Sequence, residues 1–190
     1  MKLYLARHGE TDWNAERRLQ GRIDIALNSI GKDQAKDLVF KLQAIHLDAI
    51  YCSALQRSIE TAQYLDRTPV FVLPELNEQS LGIYEGVQLD GERLAEFQRR
   101  RSNLDDELDG GESRNQHRIR IRAALSRIRS AHLENSQVLI VGHGGTNSLI
   151  LKELFDMQTD LMFSIGNSDL FLIDLPVTGS PTLWKYVTIR

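Results

Sequence analysis

Residues 3–14 read LYLARHGETDWN, an apolar run that stops at a cation, an imidazole and a glycine. Leu3 to Ala6, bounded by a charged turn, predicts a short buried strand over Lys2 to Ala6. Residues 138–146, VLIVGHGGT, repeat the event: Val138 to Val141 predicts a strand that runs into Gly142-His143-Gly144-Gly145. In an open α/β sheet, ligands sit at the carboxyl ends of the strands. Two strands distant in sequence, each ending in a histidine, predict a parallel sheet that brings His8 and His143 together. The plainer alternative is a surface turn that happens to hold Arg7 and His8.

Working outward, Glu10 to Asn28 is polar and long. Loops of that length inside a compact domain are commonly functional, and Trp13, Leu19, Ile23, Ile25 and Leu27 supply apolar anchors to order this one. Asn28 or Ser29 caps a helix to about Ala44, with Ala35, Leu38, Val39 and Leu42 on its inner face. Leu47 to Cys52 is a second strand. Ser53 opens a helix to about Asp66 that carries Arg57 near its start; alone, Arg57 reads as a solvated side chain. A third strand spans Val70 to Leu73, followed by a loop bearing Glu75, Glu78 and Glu85. Arg99-Arg100-Arg101, with Asp105, Asp106, Glu107 and Asp109 close behind, reads as a solvated helix end rather than a nucleic-acid site. Glu112-Ser113 starts a helix to about Leu133. His46, His117 and His132 read as surface histidines, without metal-ligand spacing. A helix follows over Thr146 to Phe155. Strands at Asp169 to Leu175 and Thr182 to Ile189, joined through Gly179 and Pro181, predict an antiparallel hairpin at a sheet edge.

Composition narrows the classes. At 190 residues the chain predicts one domain, 1–190, with a real core. A net charge of −3 offers no general attraction to nucleic acid or to an anionic membrane, so any anion site must be local. Cys52 is the single cysteine, which excludes an intrachain disulfide and a cysteine-based zinc site. No apolar stretch approaches the roughly 18 residues of a membrane span. Arg7, Glu10 and Asp12 interrupt any signal-peptide core. The expectation is a cytoplasmic protein with no nucleic-acid or membrane partner; a homodimer stays open.

Assembled at the strand ends, Arg7, His8, Arg57, His143 and a glutamate from the 75–86 loop suit a phosphoryl group. Arginine forks match phosphate oxygens and keep their charge, and the helix after Gly144-Gly145 adds backbone N–H groups. No Walker A pattern, paired-aspartate metal motif or HExxH is present. Arginines would therefore carry the charge that a metal usually handles. With no cysteine or serine nucleophile signature, a histidine is the natural covalent acceptor. Adjacent arginines disfavour its protonation, and a nearby glutamate can protonate the leaving alkoxide.

These residues resemble the histidine phosphatase superfamily, the phosphoglycerate-mutase-like group. Arg7-His8-Gly9-Glu10-Thr11 with Trp13-Asn14 is similar to its opening signature, continued by Leu19-Gln20-Gly21, Asp24, Leu27, Gly31 and Gln34-Ala35. Ser53-Ala54-Leu55-Gln56-Arg57 with Thr61-Ala62 resembles the segment bearing the second arginine. Leu76-Asn77-Glu78, with Gly82 and Glu85-Gly86, resembles the segment of the proton donor. Gly111-Glu112-Ser113 and Gly142-His143-Gly144-Gly145 complete the pattern.

The resemblance implies a three-layer α/β sandwich with a mostly parallel sheet, helices on both faces and an antiparallel edge. It implies that His8 is the nucleophile and that Arg7, Arg57 and His143 hold the transferred group. Glu78 would be acid and then base, while Asn14, Gln20 and Gly144 contact substrate. No metal or cofactor is implied. Ala26 stands where the family often has proline, Cys52 and Gly142 where it has serines, and Ser58 where it has alanine; none of these removes a reacting group. The charged 87–109 stretch lacks the family's usual Trp and Pro, and 87–122 is the expected substrate-covering segment.

The leading expectation is a metal-independent phosphomonoesterase acting on a small phosphorylated metabolite. A phosphoglycerate-type mutase is the alternative enzyme; the chain has less material for the lid that a mutase needs. A non-catalytic phosphate-binding module is the alternative of another class, and it would need the arginines but neither His8 nor Glu78. A phosphoprotein substrate stays open.

Overall fold

A computed structural model describes residues 1–66, 68–157, 165–167, 169–176 and 178–187, the last few of these (184–187) by backbone alone. β1 (Lys2–Arg7) leads to a one-turn helix α1 (Asp12–Ala15), then α2 (Ser29–Leu42), β2 (Ala49–Cys52), α3 (Gln56–Gln63) and β3 (Val70–Val72). Short 3-10 turns at Pro74–Leu76 and Gly82–Tyr84 precede α4 (Gly91–Ser102). The chain continues through α5 (Arg114–Ser130), β4 (Gln137–Gly142), α6 (Gly144–Leu154), β5 (Leu170–Asp174) and β6 (Thr182–Val187). Among the described residues no helix is long and apolar enough to cross a membrane.

The sheet order is β3-β2-β4-β1-β5-β6. β1, β2, β3 and β4 run parallel, while β5 pairs antiparallel with both β1 and β6, so the predicted hairpin forms the antiparallel edge. The 188–189 end of the predicted last strand lies outside the described residues.

Alternation along the strands sends side chains to two faces. Leu3, Leu5, Val138 and Ile140 pack with Ile121, Ala124 and Ile128 of α5 and Ile150 of α6. Tyr4, Ala6, Leu139 and Val141 pack with Leu38 and Leu42 of α2 and Ala62 of α3. These are the three layers. Register then places the ligand-bearing ends: Ala6 sits opposite Val141 and Arg7 opposite Gly142, so His8 and His143 follow at one level. Cys52 lies opposite Val141, which brings Ser53 to the same edge.

The end of β1 also packs tightly on α2. A Cβ on Gly9 would meet Gly31 O at 2.3 Å, and one on Gly31 would meet Glu10 O at 2.1 Å, so backbone touches backbone there.

Several local readings change. The helix expected from Ser53 begins at Gln56; before it, Ser53 Oγ accepts from Leu55 N–H (3.2 Å) as well as meeting His143, and Ala54 N–H donates to Asn77 Oδ1 (2.8 Å) rather than entering a helix. The strand expected to reach Leu73 ends at Val72, with all three of its side chains exposed at the sheet edge. The loop over 16–28 is ordered less by its apolar anchors, since Ile23 is exposed, than by carboxylates. Glu85 accepts from Arg22 N–H (2.9 Å) and Glu60 from Leu27 N–H (2.8 Å). His117 is buried, contrary to the surface reading. It stands one turn before Ile121 on the inner stripe of α5, which continues through Ala124 and Ile128. His132 is half-buried against Tyr51, its Nε2 2.9 Å from the hydroxyl; His46 is exposed as expected.

Candidate active site

His8 and His143 face each other with ring centroids 5.0 Å apart. Their hydrogen bonds make them chemically different. His8 Nδ1 lies 2.6 Å from Gly9 O, which can only accept, so Nδ1 carries the ring proton. His8 Nε2 has no partner among the described residues. His143 has both nitrogens engaged: Arg57 Nε–H donates to Nδ1 (3.3 Å), so the proton sits on Nε2 and goes to Ser53 Oγ (2.7 Å). Burial, reinforced by the charges of Arg57 and Arg7, holds His8 well below its ordinary pKa of 6.5. Burial and Arg57 do the same to His143.

Arg57 is buried, which overturns its solvated reading. Besides Nε on His143, its terminal nitrogens donate to Ile23 O and Gly21 O, both at 2.8 Å. Of the five guanidinium N–H groups, three are spent on the protein and two remain for a ligand. Burial brings its pKa down to about 10, so it stays charged at neutral pH. Arg7 donates to Ile165 O (2.6 Å), while its buried Nε has no partner among the described residues. A buried donor left unpaired costs stability, and here it points to an anion as the missing partner.

Glu78 hangs from the start of α6. Gly145 N–H donates to Oε2 (2.8 Å), and Thr146 Oγ–H lies 3.0 Å from Oε1. A Cβ on residue 145 would meet Oε1 at 2.8 Å, so glycine is what admits the carboxylate. Its main chain is clamped too. Arg120 donates to the carbonyls of Glu75, Asn77 and Glu78 at 2.6–3.0 Å and pairs with Glu112, while Arg22 Nε–H also reaches Glu78 O at 3.2 Å.

These groups border a cavity of about 330 Å³ that Asn14, Gln20, Gly144 and Arg101 also line. Gln20 is buried with an unpaired Oε1, an amide set to meet a ligand polar group in either orientation. Asn14 Oδ1 is already occupied by Thr11 and Asn167, which leaves its amide nitrogen as the free end. Arg101 corrects the solvated reading of the 99–101 run. It is half-buried over the Phe97 ring, at 5.4 Å, with one N–H 3.4 Å from Gln79 Oε1.

The histidine phosphatase superfamily (branch 1) model matches residues 3–180. The chain belongs to that superfamily. As a histidine phosphatase superfamily member it is 35% identical over 167 residues to the probable phosphoglycerate mutase GpmB of Erwinia tasmaniensis, covering 84% of this chain and 77% of that one. It superposes on the alpha-ribazole phosphatase of Shigella flexneri with a TM-score of 0.83 at 26% identity, covering 98% and 96% of the two chains. A mycobacterial glucosyl-3-phosphoglycerate phosphatase complexed with VO3 gives a TM-score of 0.81 at 27% identity, covering 90% and 92%.

For this superfamily member, Arg7, His8, Asn14, Gln20, Arg57, Glu78, His143 and Gly144 line one cavity, and of the three loop glutamates Glu78 reaches it while Glu75 and Glu85 do not. Sequence reasoning missed Arg120 and the bond from Ser53 to His143. Arg120 stands among Arg114, Arg118 and Arg122 on one helix, and nothing local separates it from a solvated arginine. Ser53 carried a signal that was read as a cap.

Proposed function

We propose that the protein is a phosphomonoesterase that works through a phosphohistidine on His8, without a metal. The observation that carries this reading is the asymmetry of the two histidines: His8 alone has a free ring nitrogen, and it is Nε2. Nε2 attacks phosphorus and a P–N bond forms. The P–O bond to the leaving group breaks, and the departing oxygen takes a proton from Glu78. Water then attacks phosphorus, giving its proton to Glu78, and inorganic phosphate leaves with His8 restored. Arg7 and Arg57 balance the charge on the equatorial oxygens. His143 holds Arg57 at the right angle and adds a neutral wall to the phosphoryl site. Gln20, Asn14 and Gly144 border the substrate.

The cavity suits a small phosphorylated metabolite, and the chain's negative net charge fits neither a nucleic acid nor an anionic membrane. A rapid-quench reaction with labelled p-nitrophenyl phosphate should trap a base-stable, acid-labile phosphoenzyme. EDTA should leave turnover unchanged. Loss of activity restored by a divalent ion would sink the metal-free reading, and absence of the phosphoenzyme would sink the covalent one. The names of the curated relatives favour one second reading, a phosphoglycerate-type mutase. Incubation with 3-phosphoglycerate separates the two: the 2-isomer indicates a mutase, inorganic phosphate a hydrolase.

A further inference from the structure

Glu78 must be an acid in one half of the proposed reaction and a base in the other, so its neighbours must accommodate both states. One neighbour is the Thr146 hydroxyl. It has a single hydrogen and two oxygens within reach, Glu78 Oε1 at 3.0 Å and Asn77 O at 3.1 Å. On its other side stands His117 Nε2, also at 3.1 Å. His117 takes no part in holding phosphate, yet it is buried, and burial together with Arg120, Arg101 and Arg22 keeps its ring neutral.

We propose that His117 is a positioning residue for proton transfer, acting on Glu78 through Thr146. With the ring proton on Nε2, His117 donates to the hydroxyl, and the hydroxyl hydrogen goes to the ionised carboxylate, the stronger of its two acceptors. When Glu78 is protonated and its O–H is directed to Thr146, the hydroxyl hydrogen turns to Asn77 O, its second acceptor, while His117 Nε2–H goes on donating, so no proton has to leave the ring. In both states His117 fills one lone pair of the hydroxyl and leaves its hydrogen to follow the charge on Glu78.

The inference rests on Glu78 being the proton donor, and the test keeps the two apart. Single-turnover phosphoenzyme formation is measured with β-glycerophosphate, a poor leaving group, and with p-nitrophenyl phosphate, a good one. His117→Leu should slow the first about tenfold and the second by less than about twofold, a part of the roughly 10²–10⁴-fold that a placed acid supplies. Thr146→Val should reproduce this discrimination, and the double variant should add little to it. His117→Gln, which keeps a side-chain donor and acceptor, should recover most of the rate and guards against a fold defect in the leucine variant. Equal slowing on both substrates, or full additivity in the double variant, overturns the inference. Glu78→Gln is run alongside. If it too slows both substrates equally, the donor reading itself falls; if it discriminates while His117→Leu does not, only the His117 inference falls.

Discussion

The floor of the cavity and α4 beside it, which lends Arg101 to the lining and which we propose as the substrate cover, are built on different physics. The floor consists of Arg7, His8 and His143, placed by the register of β1 on β4, with Arg57 from the start of α3; Arg7, His8 and Arg57 are fixed by bonds to main-chain oxygens of Ile165, Gly9, Gly21 and Ile23, and His143 by Ser53 Oγ and Arg57. The cover, α4 and the turn after it, has one buried side chain in its helix, Phe97, which joins Leu81, Tyr84 and Leu108 in a small separate cluster. Its remaining ties are polar: Arg100 forks onto Asp106 and Asp109 within the segment, each at 2.6 Å, and Arg101 O, Leu104 O, Asp105 and Glu107 accept from Arg114, Asn115 and Gln116 at the start of α5. The reacting groups are therefore tied to the sheet, where a shift of one residue would undo the core, while the proposed cover is held by polar bonds to the loops and helix end around it.

The severest way to break this contrast is to remove the nucleophile. His8→Ala should lower turnover of p-nitrophenyl phosphate by about 10⁴-fold or more while the fold persists, as expected when the group that forms the covalent bond is lost. Activity near that of the wild type would refute the assignment. Arg57→Ala comes next. A fall of about 10²–10³-fold in kcat/KM is expected from loss of a preorganised charge. A lower melting temperature should accompany it, because the Gly21 and Ile23 carbonyls lose their donor. An activity loss with no change in melting would show that these carbonyls find other partners.

The same contrast explains what could be read from the chain. The two histidines were legible because each follows an apolar strand, a local pattern, and parallel pairing needs no further information to bring them together. Arg57 was ambiguous because its burial is decided by carbonyls some 34–36 residues away in sequence. His117 was legible in principle, standing four residues before Ile121, but its polar character outweighed its position. Arg120 was not legible at all: what distinguishes it from the arginines beside it is a set of carbonyls at Glu75, Asn77 and Glu78 on a separate loop. The apolar stretches revealed the fold, and the polar tertiary bonds that complete the site did not show in any local pattern.

Loosening the cover should do far less than either floor substitution. Arg100→Ala breaks both of its ion pairs at once and leaves Asp106 and Asp109 without this partner. Hydrolysis of p-nitrophenyl phosphate, which needs only the floor, should stay within about threefold, while proteolysis between residues 91 and 111 should speed up. A loss comparable to that of Arg57→Ala would mean that the cover helps to build the phosphoryl site, and the division drawn above would fail.

The smallest effect, and the one that separates floor from cover most cleanly, is the dependence of stability on pH. His8, His117 and His143 are each held well below 6.5 when folded, chiefly by burial. Unfolded, each takes up a proton near 6.5. Between that value and the lower folded one the unfolded chain binds more protons, so stability is full above about pH 6.5 and falls as pH drops. The slope is at most about 1.4 kcal/mol per pH unit for each histidine. In the cover, hydrogen bonds from Arg100 hold Asp106 down to about 2, against an ordinary 3.8, and lower Asp109 as well. Their contribution is present above 3.8 and is lost only as pH falls toward about 2. Urea midpoints measured from pH 7.5 to 4.5 should therefore decline from about 6.5 downward, less steeply in His117→Gln and unchanged in slope in Arg100→Ala. A flat profile would mean that the buried rings accept protons without cost, and the neutral, unprotonated Nε2 required of His8 would lose its physical basis.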